Sequence, residues 1–355
     1  MKRPTTLGVL MLLLAILAAL TLQARGSARA QSSHKKQVGV LLYIGGSLGD
    51  LGFADSANAG VQRAHRSLGV NIKVIAQADS TQWQTQLLSL AGTHKYNLIL
   101  VDTTDATMNS AVAALIKRYP TQRIVDYDDE SFATKPEVST IIYKQNEGSF
   151  LAGALSAMVA DSHLKYVSHK RVIGMVGGMK VQVILDFKDG YVQGAKAVDP
   201  KMQVKVTYIG GSGGNDTWAN KPAGARLARS LYDQGSAVVY QVAGGSGLGV
   251  LDQAKTTGRY AVGVDSNQDN LAPGHVIGSV TKRVDNSLFD LIKLYQEGKL
   301  KGNHIYTFGL QNQGVSLTRD AETRAIIPAS MYKRLDRLAA EVASGKIKVK
   351  SEFSH

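Results

Sequence analysis

The chain has 355 residues, 44% hydrophobic and 19% charged, a length that calls for two hydrophobic cores rather than one. It holds no Cys, which excludes disulfides, thiol catalysis, thiolate zinc sites and a lipid carried on cysteine. The formal charge is +13, yet the basic residues form only short clusters such as Lys346-Ile347-Lys348-Val349-Lys350. No recognition-helix, zinc-finger or aromatic RNA-binding signature accompanies them, so nucleic acid is excluded as the expected partner and an anionic cell envelope is retained.

Lys2 and Arg3 precede an apolar run of 16 residues from Leu7 to Leu22, and Ala28-Arg29-Ala30 follows. That is the layout of a secretory signal over residues 1–30. A retained membrane anchor is the other reading, although a spanning helix needs about 20 apolar residues. Cleavage would remove Lys2, Arg3, Arg25 and Arg29 and no acid, leaving 37 basic against 28 acidic residues, or +9. Residues 31–36 read as a polar linker.

A regular alternation follows. Val38 to Ile44 reads as a buried strand closed by Gly45-Gly46, Ala54 to Leu68 as a helix ending at Gly69, and Ile72 to Ala76 as a second strand. Trp83 to Leu90 is helical, Leu98 to Val101 a strand, Met108 to Tyr119 a helix stopped by Pro120, and Arg123 to Tyr127 a fourth strand. The rhythm resumes with a helix over Glu147 to Ala160 and a strand over Val172 to Val176. Further strands fall at Val204 to Ile209, Ala237 to Gln241 and Tyr260 to Val264. Leu288 to Tyr295 reads as a helix, and Met331, Leu335, Leu338 and Val342 lie on one stripe of a C-terminal helix. Alternating strands and helices with continuous apolar strands predict α/β lobes with doubly wound parallel sheets, about four units on each side of residue 147.

In such a fold a ligand binds at the carboxyl ends of the strands, which directs attention to the loops there. They carry Asp50 after the first strand, Asp126-Tyr127-Asp128-Asp129 after the fourth, Gly244 to Gly249, Asp265 to Gln268, and Ser279-Val280-Thr281-Lys282. An Asp in such a loop serves equally as a helix N-cap or as a ligand contact. The glycine run breaks the dinucleotide fingerprint at Val250, and there is no phosphate-loop, zinc-protease, hydrolase or kinase motif. The eight His are dispersed. No cofactor, no metal and no enzymatic activity are therefore expected.

The chain resembles the basic membrane protein family, whose best-understood members are purine nucleoside receptors that feed ATP-binding-cassette importers. The matching stretches are Gly49-Asp50-Leu51-Gly52-Phe53, Gly148-Ser149-Phe150-Leu151-Ala152-Gly153, Gly174 to Met179, Phe187-Lys188-Asp189-Gly190-Tyr191, Gly244 to Val250, Gly263 to Gln268 and Ser279 to Lys282. The resemblance implies the type I periplasmic-binding-protein fold, two doubly wound lobes with a ligand cleft between them. The lobes implied are 37–145 with about 266–318, and 146–265 with about 319–350. It also implies a nucleoside-like ligand, purine favoured, and a membrane permease as partner.

Carried over by position, Asp50 would hydrogen-bond the ligand and Asp126 would accept from a purine edge. Trp218 would stack on the base, Asp265 would take two ribose hydroxyls, and Lys282 would donate to the ribose or to Asp265. Phe53 and Gly244, in the matching motifs, complete the expected contacts. Two positions depart from the family pattern: Ala54 replaces Asn, and Asn58 replaces an aromatic expected to close the other side of the base. An exported sensor or adhesin on the same fold, with another ligand or none, is the alternative.

Overall fold

The computed structural model describes residues 37–210 and 214–354. The expected signal segment and linker fall outside the described residues. Among the described residues no helix is long and apolar enough to cross a membrane.

Two six-stranded sheets form the frame. The first contains β1 (Gly39–Ile44), β2 (Asn71–Ala76), β3 (Leu98–Val101), β4 (Arg123–Tyr127), β5 (Val138–Tyr143) and β11 (His304–Phe308), in the order β11-β5-β4-β3-β1-β2 and parallel throughout. The second contains β6 (Val172–Gly177), β7 (Gln203–Tyr208), β8 (Val238–Val242), β9 (Tyr260–Asp265), β10 (Val276–Lys282) and β12 (Val315–Leu317), in the order β12-β10-β9-β8-β6-β7. Among the described residues, only β12 runs antiparallel to its neighbour. The central strands β1, β3, β8 and β9 are buried along their whole length because helices cover both faces.

On the first sheet, α1 (Phe53–Leu68) and α9 (Val284–Gln296) pack on one face, while α2 (Trp83–Gly92) and α3 (Ala106–Arg118) pack on the other. On the second, α4 (Gln145–Ala160), α5 (Gln182–Val198) and α11 (Ala329–Ala343) share one core. The short α6 (Gly214–Trp218) precedes α7 (Lys221–Asp233), and α7 and α8 (Gly247–Thr257) cover the remaining face. A single-turn α10 (Ala321–Arg324) precedes α11.

The helix ends follow local chemistry. Gly69 terminates α1 in the left-handed region at φ 70°, where a side chain is disfavoured. Asp105 caps α3 by accepting the Thr107 N–H, and Asn220 caps α7 by accepting the Ala223 N–H. On α11, Leu335 and Val342 of the expected stripe are buried.

The chain passes between the sheets at Lys144, at Arg283 and across residues 309–314. These crossings are tied together: Lys144 N–H donates to the Phe308 carbonyl at 2.8 Å, and Arg283 N–H to the Gly314 carbonyl at 2.9 Å. The lobe boundaries drawn from sequence need correction here. The span 266–318 does not go as a unit to the first lobe, because β10 and β12 belong to the second sheet. The physical reason is the register: Thr281 of β10 lies beside Asp265 of β9, so the chain cannot leave that sheet before Lys282.

Candidate functional site: a cleft at the strand ends

The carboxyl ends of both sheets border one cavity of about 170 Å³. That is roughly a dozen times the room one water molecule needs, a small-molecule volume. The first lobe contributes Ile44 to Asp50, Phe53 and Ala54, Asp102 and Thr104, Tyr127 and Asp128; the second contributes Phe187, Trp218, Gly244, Gly245, Asp265 and Lys282 among others. Six of the seven residues expected at the ligand meet here: Asp50, Phe53, Trp218, Gly244, Asp265 and Lys282.

Asp126 is the exception. It is fully buried behind the wall, where its Oδ2 accepts from the Thr103 hydroxyl at 2.8 Å. Strand alternation explains the correction. Val125 and Tyr127 point into the core shared with α1 and α9, whereas Asp126 points to the opposite face. Asp128 takes its place in the cavity because its left-handed backbone, φ 85°, turns the carboxylate out of the strand's alternation.

Asp50 lines the cavity but is also a helix cap. Its Oδ1 accepts the N–H groups of Gly52 (3.0 Å) and Asp55 (3.1 Å), and its Oδ2 that of Ala54 (2.9 Å). Burial raises its titration, and these three donors pull it back. Asp55 in turn accepts from Gly49 and Leu51, which fixes the loop on the start of α1.

Lys282 is 2% exposed and reaches Asp128 Oδ2 at 2.5 Å. Its ammonium sits 4.8, 5.2 and 5.0 Å from the ring centres of Phe53, Tyr143 and Phe187, an aromatic cage that replaces part of its hydration. The expected partner was the ribose or Asp265; the structure pairs it with Asp128. Burial lifts Asp128 above the ordinary carboxylate range, and Lys282 opposes that shift.

Asp265 ends β9 with φ 63°, a left-handed conformation that Asp tolerates better than most residues. It is 8% exposed, and its Oδ1 is buried without a hydrogen-bond partner, as is the Oδ1 of Asp128. Burial pushes Asp265 up to about 7, against the pull of Lys282 and with added repulsion from Asp128 and Asp50. The loop that presents it is held by a buried network: Gln241 donates to Gln268 Oε1 at 2.6 Å, Gln268 N–H to Ser279 Oγ at 3.0 Å, and Ser279 to Asp269 at 2.6 Å.

Trp218 is seated by its neighbours. Ser246 accepts the Asn220 N–H and donates to the Thr217 carbonyl, so the segment bearing Trp218 is clamped to the glycine-rich loop. Gly178 lies directly under the indole, where a Cβ would collide with the ring. Asn58 does not line the cavity. It lies about 7.5 Å farther along the helix axis than Phe53 and on another face, where it accepts from Gln62 at 3.3 Å.

Sequence reasoning passed over Asp102 and Thr104, and gave no ligand role to Asp128 and Phe187 although both stand in stretches it singled out. The rule that ligands sit after strands applies to β3 as well, and would have found Asp102 had that loop been included. Burial and the neighbouring Asp128 push Asp102 up to about 7, and its hydrogen bonds from Thr104 oppose the shift.

Comparison with known proteins fits this geometry. Residues 36–352 match the family model described as ABC transporter substrate-binding protein PnrA-like. The chain belongs to that family. This bears out the resemblance to the basic membrane proteins, and with it a solute-binding rather than enzymatic role in ATP-binding-cassette transport.

Among relatives in this family, an uncharacterized lipoprotein of Pyrococcus horikoshii is 31% identical over 323 residues, covering 89% of this chain and 77% of the relative. The ABC transporter nucleoside-binding protein of Lactococcus lactis is 29% identical over 263 residues, covering 69% of each. A solved solute-binding protein of an ABC transporter system from Aeropyrum pernix superposes with a TM-score of 0.79 at 22% identity, covering 88% of this chain and 92% of its own. That likeness establishes the two-lobed fold.

Proposed function

We propose that the protein binds a nucleoside between its lobes, purine favoured, outside the cytoplasm, and delivers it to the membrane permease of an importer. One observation carries the reading. The buried Oδ1 atoms of Asp265 and Asp128 lack partners, in a cavity whose walls also present Phe53 and Trp218 from opposite lobes. A nucleoside supplies what these groups lack. Its sugar hydroxyls donate to carboxylates, which accept two hydrogen bonds at once. Its base offers a flat π-face, and stacking on an aromatic side chain contributes roughly 1–3 kcal/mol. The nucleoside-binding relative in Lactococcus lactis supports the same assignment.

Titration calorimetry with purine and pyrimidine nucleosides tests it. Saturable one-to-one binding of a nucleoside is expected. Binding of a sugar or peptide with no response to any nucleoside rejects the ligand while leaving the transport family intact. The second reading, an exported sensor or adhesin on the same fold, draws on the charge of +9 that remains without residues 1–30. It predicts adhesion to anionic envelope polymers that persists in cleft variants.

A further inference from the structure

The hydrogen-bonding inventory of the cleft is lopsided. Four carboxylates line it, Asp50, Asp102, Asp128 and Asp265. The two lining ammonium groups are Lys282, which is committed to Asp128, and Lys221, which begins α7 at the surface. Asp50 is occupied by three backbone N–H groups. Asp265 and Asp128 each keep a buried oxygen without a partner. Asp102 is engaged by its near neighbour Thr104 in a turn two residues long, with the Thr104 N–H at 2.9 Å from Oδ1. Carboxylates thus outnumber ammonium groups in the wall, and a solute that brings hydrogen-bond donors is favoured there.

We infer that Asp102 is a specificity-determining residue of this cleft, selecting nucleosides whose base carries an exocyclic amino group over those carrying only oxo groups. The inference rests on the nucleoside reading above. An amino group presents two N–H donors and no acceptor, so it meets an ionised carboxylate without a lone pair opposing it. An oxo group in the same place sets oxygen against oxygen, in a partly dehydrated cavity where such a mismatch is poorly screened. Asp102 has a different task from Asp265. It stands at the end of β3 in the first lobe, beside Asp128, whereas Asp265 ends β9 in the second.

Calorimetry with guanosine, adenosine and inosine decides the matter, run above the value of about 7 at which Asp102 titrates. Inosine lacks the amino group of either aminopurine but keeps the ring and sugar. The wild type is expected to bind at least one aminopurine nucleoside about tenfold or more tightly than inosine, the scale of one charge-assisted hydrogen bond. Asp102→Asn keeps the size of the side chain and an oxygen for Thr104 but offers an NH₂ to the cavity, so that preference should collapse or invert. An unchanged melting transition in the variant shows that it folds, and the wild-type ratio can be read without it. Inosine binding as tightly as both aminopurines, or a preference that survives Asp102→Asn, overturns the inference and leaves the nucleoside reading standing. If no nucleoside binds the wild type, the nucleoside reading falls and this inference falls with it.

Discussion

Asp265 concentrates the conflict between stability and binding in a single side chain. Its pKa is raised from 3.8 to about 7 by burial, so between those values the folded protein holds a proton that the unfolded chain releases. Stability from this group is therefore fully present below the lower value and is lost as the pH rises through the upper one. Asp265→Asn mimics the protonated form and keeps a residue that tolerates φ 63°. Without ligand, the variant should melt above the wild type by a margin that grows as the pH is raised through this window. It should also bind nucleoside at least about tenfold more weakly, the loss expected for hydrogen bonds to a charged acceptor. Melting curves and calorimetry on the same samples check both, and a margin independent of pH would show that the carboxylate is not held neutral. Six cavity residues were legible from sequence because the family resemblance carried them over by position, five of them within the matching stretches. Asp126 falls behind the cavity wall, which linear position does not report, because it depends on which face of β4 a carboxylate occupies and on the left-handed turn at Asp128.

At the scale of elements, several motif glycines serve packing rather than ligand. A Cβ at Gly153 would strike the Tyr191 carbonyl, one at Gly190 the Asn146 carbonyl, and one at Gly194 the Phe150 carbonyl. Helices α4 and α5 thus approach backbone to backbone, and the tyrosine of the Phe187–Tyr191 motif is buried between α4 and the second sheet. Gly194→Ala must push the helix backbones apart with no side chain there to yield, a change at the upper end of overpacking, about 3 kcal/mol. A lower denaturant midpoint with an unchanged slope is the expected result. The alternation of strand and helix was readable from apolar runs and glycine stops. The expectation passed over β5, β11 and β12 for different reasons. β5 follows a loop without a glycine signal, β11 is a partly exposed edge strand, and β12 has three residues. Periodicity is weakest in each of those settings.

At the scale of the whole molecule, the lobes touch across the mouth of the cleft. Gln268 donates to the Leu51 carbonyl at 3.1 Å, Ser266 to the Gly52 carbonyl at 3.3 Å, and Gln182 to Glu130 at 3.0 Å. The C-terminal segment joins the last contact. Gln182 also donates to the Glu352 carbonyl at 2.8 Å, and the Ser354 hydroxyl reaches Glu130 at 3.2 Å. These bonds favour the closed arrangement of lobes hinged at residues 144, 283 and 309–314. Gln182→Ala, which does not alter the cavity wall, should speed ligand dissociation several-fold and leave association nearly unchanged, because most interface effects appear in the off-rate. Stopped-flow measurements distinguish this from a loss confined to association, which would place Gln182 on the entry path instead.

Composition and pattern by themselves determined the α/β class and the two lobes, because strand periodicity and the loops that follow strands are local properties of the chain; the resemblance of its motifs added the family and six residues of the cavity wall. Tertiary structure alone decided that β10 and β12 stay with the second sheet and that Lys282 pairs with Asp128 inside an aromatic cage. Both depend on which residues meet across fifteen or more positions of sequence, where pairing is set by register and burial.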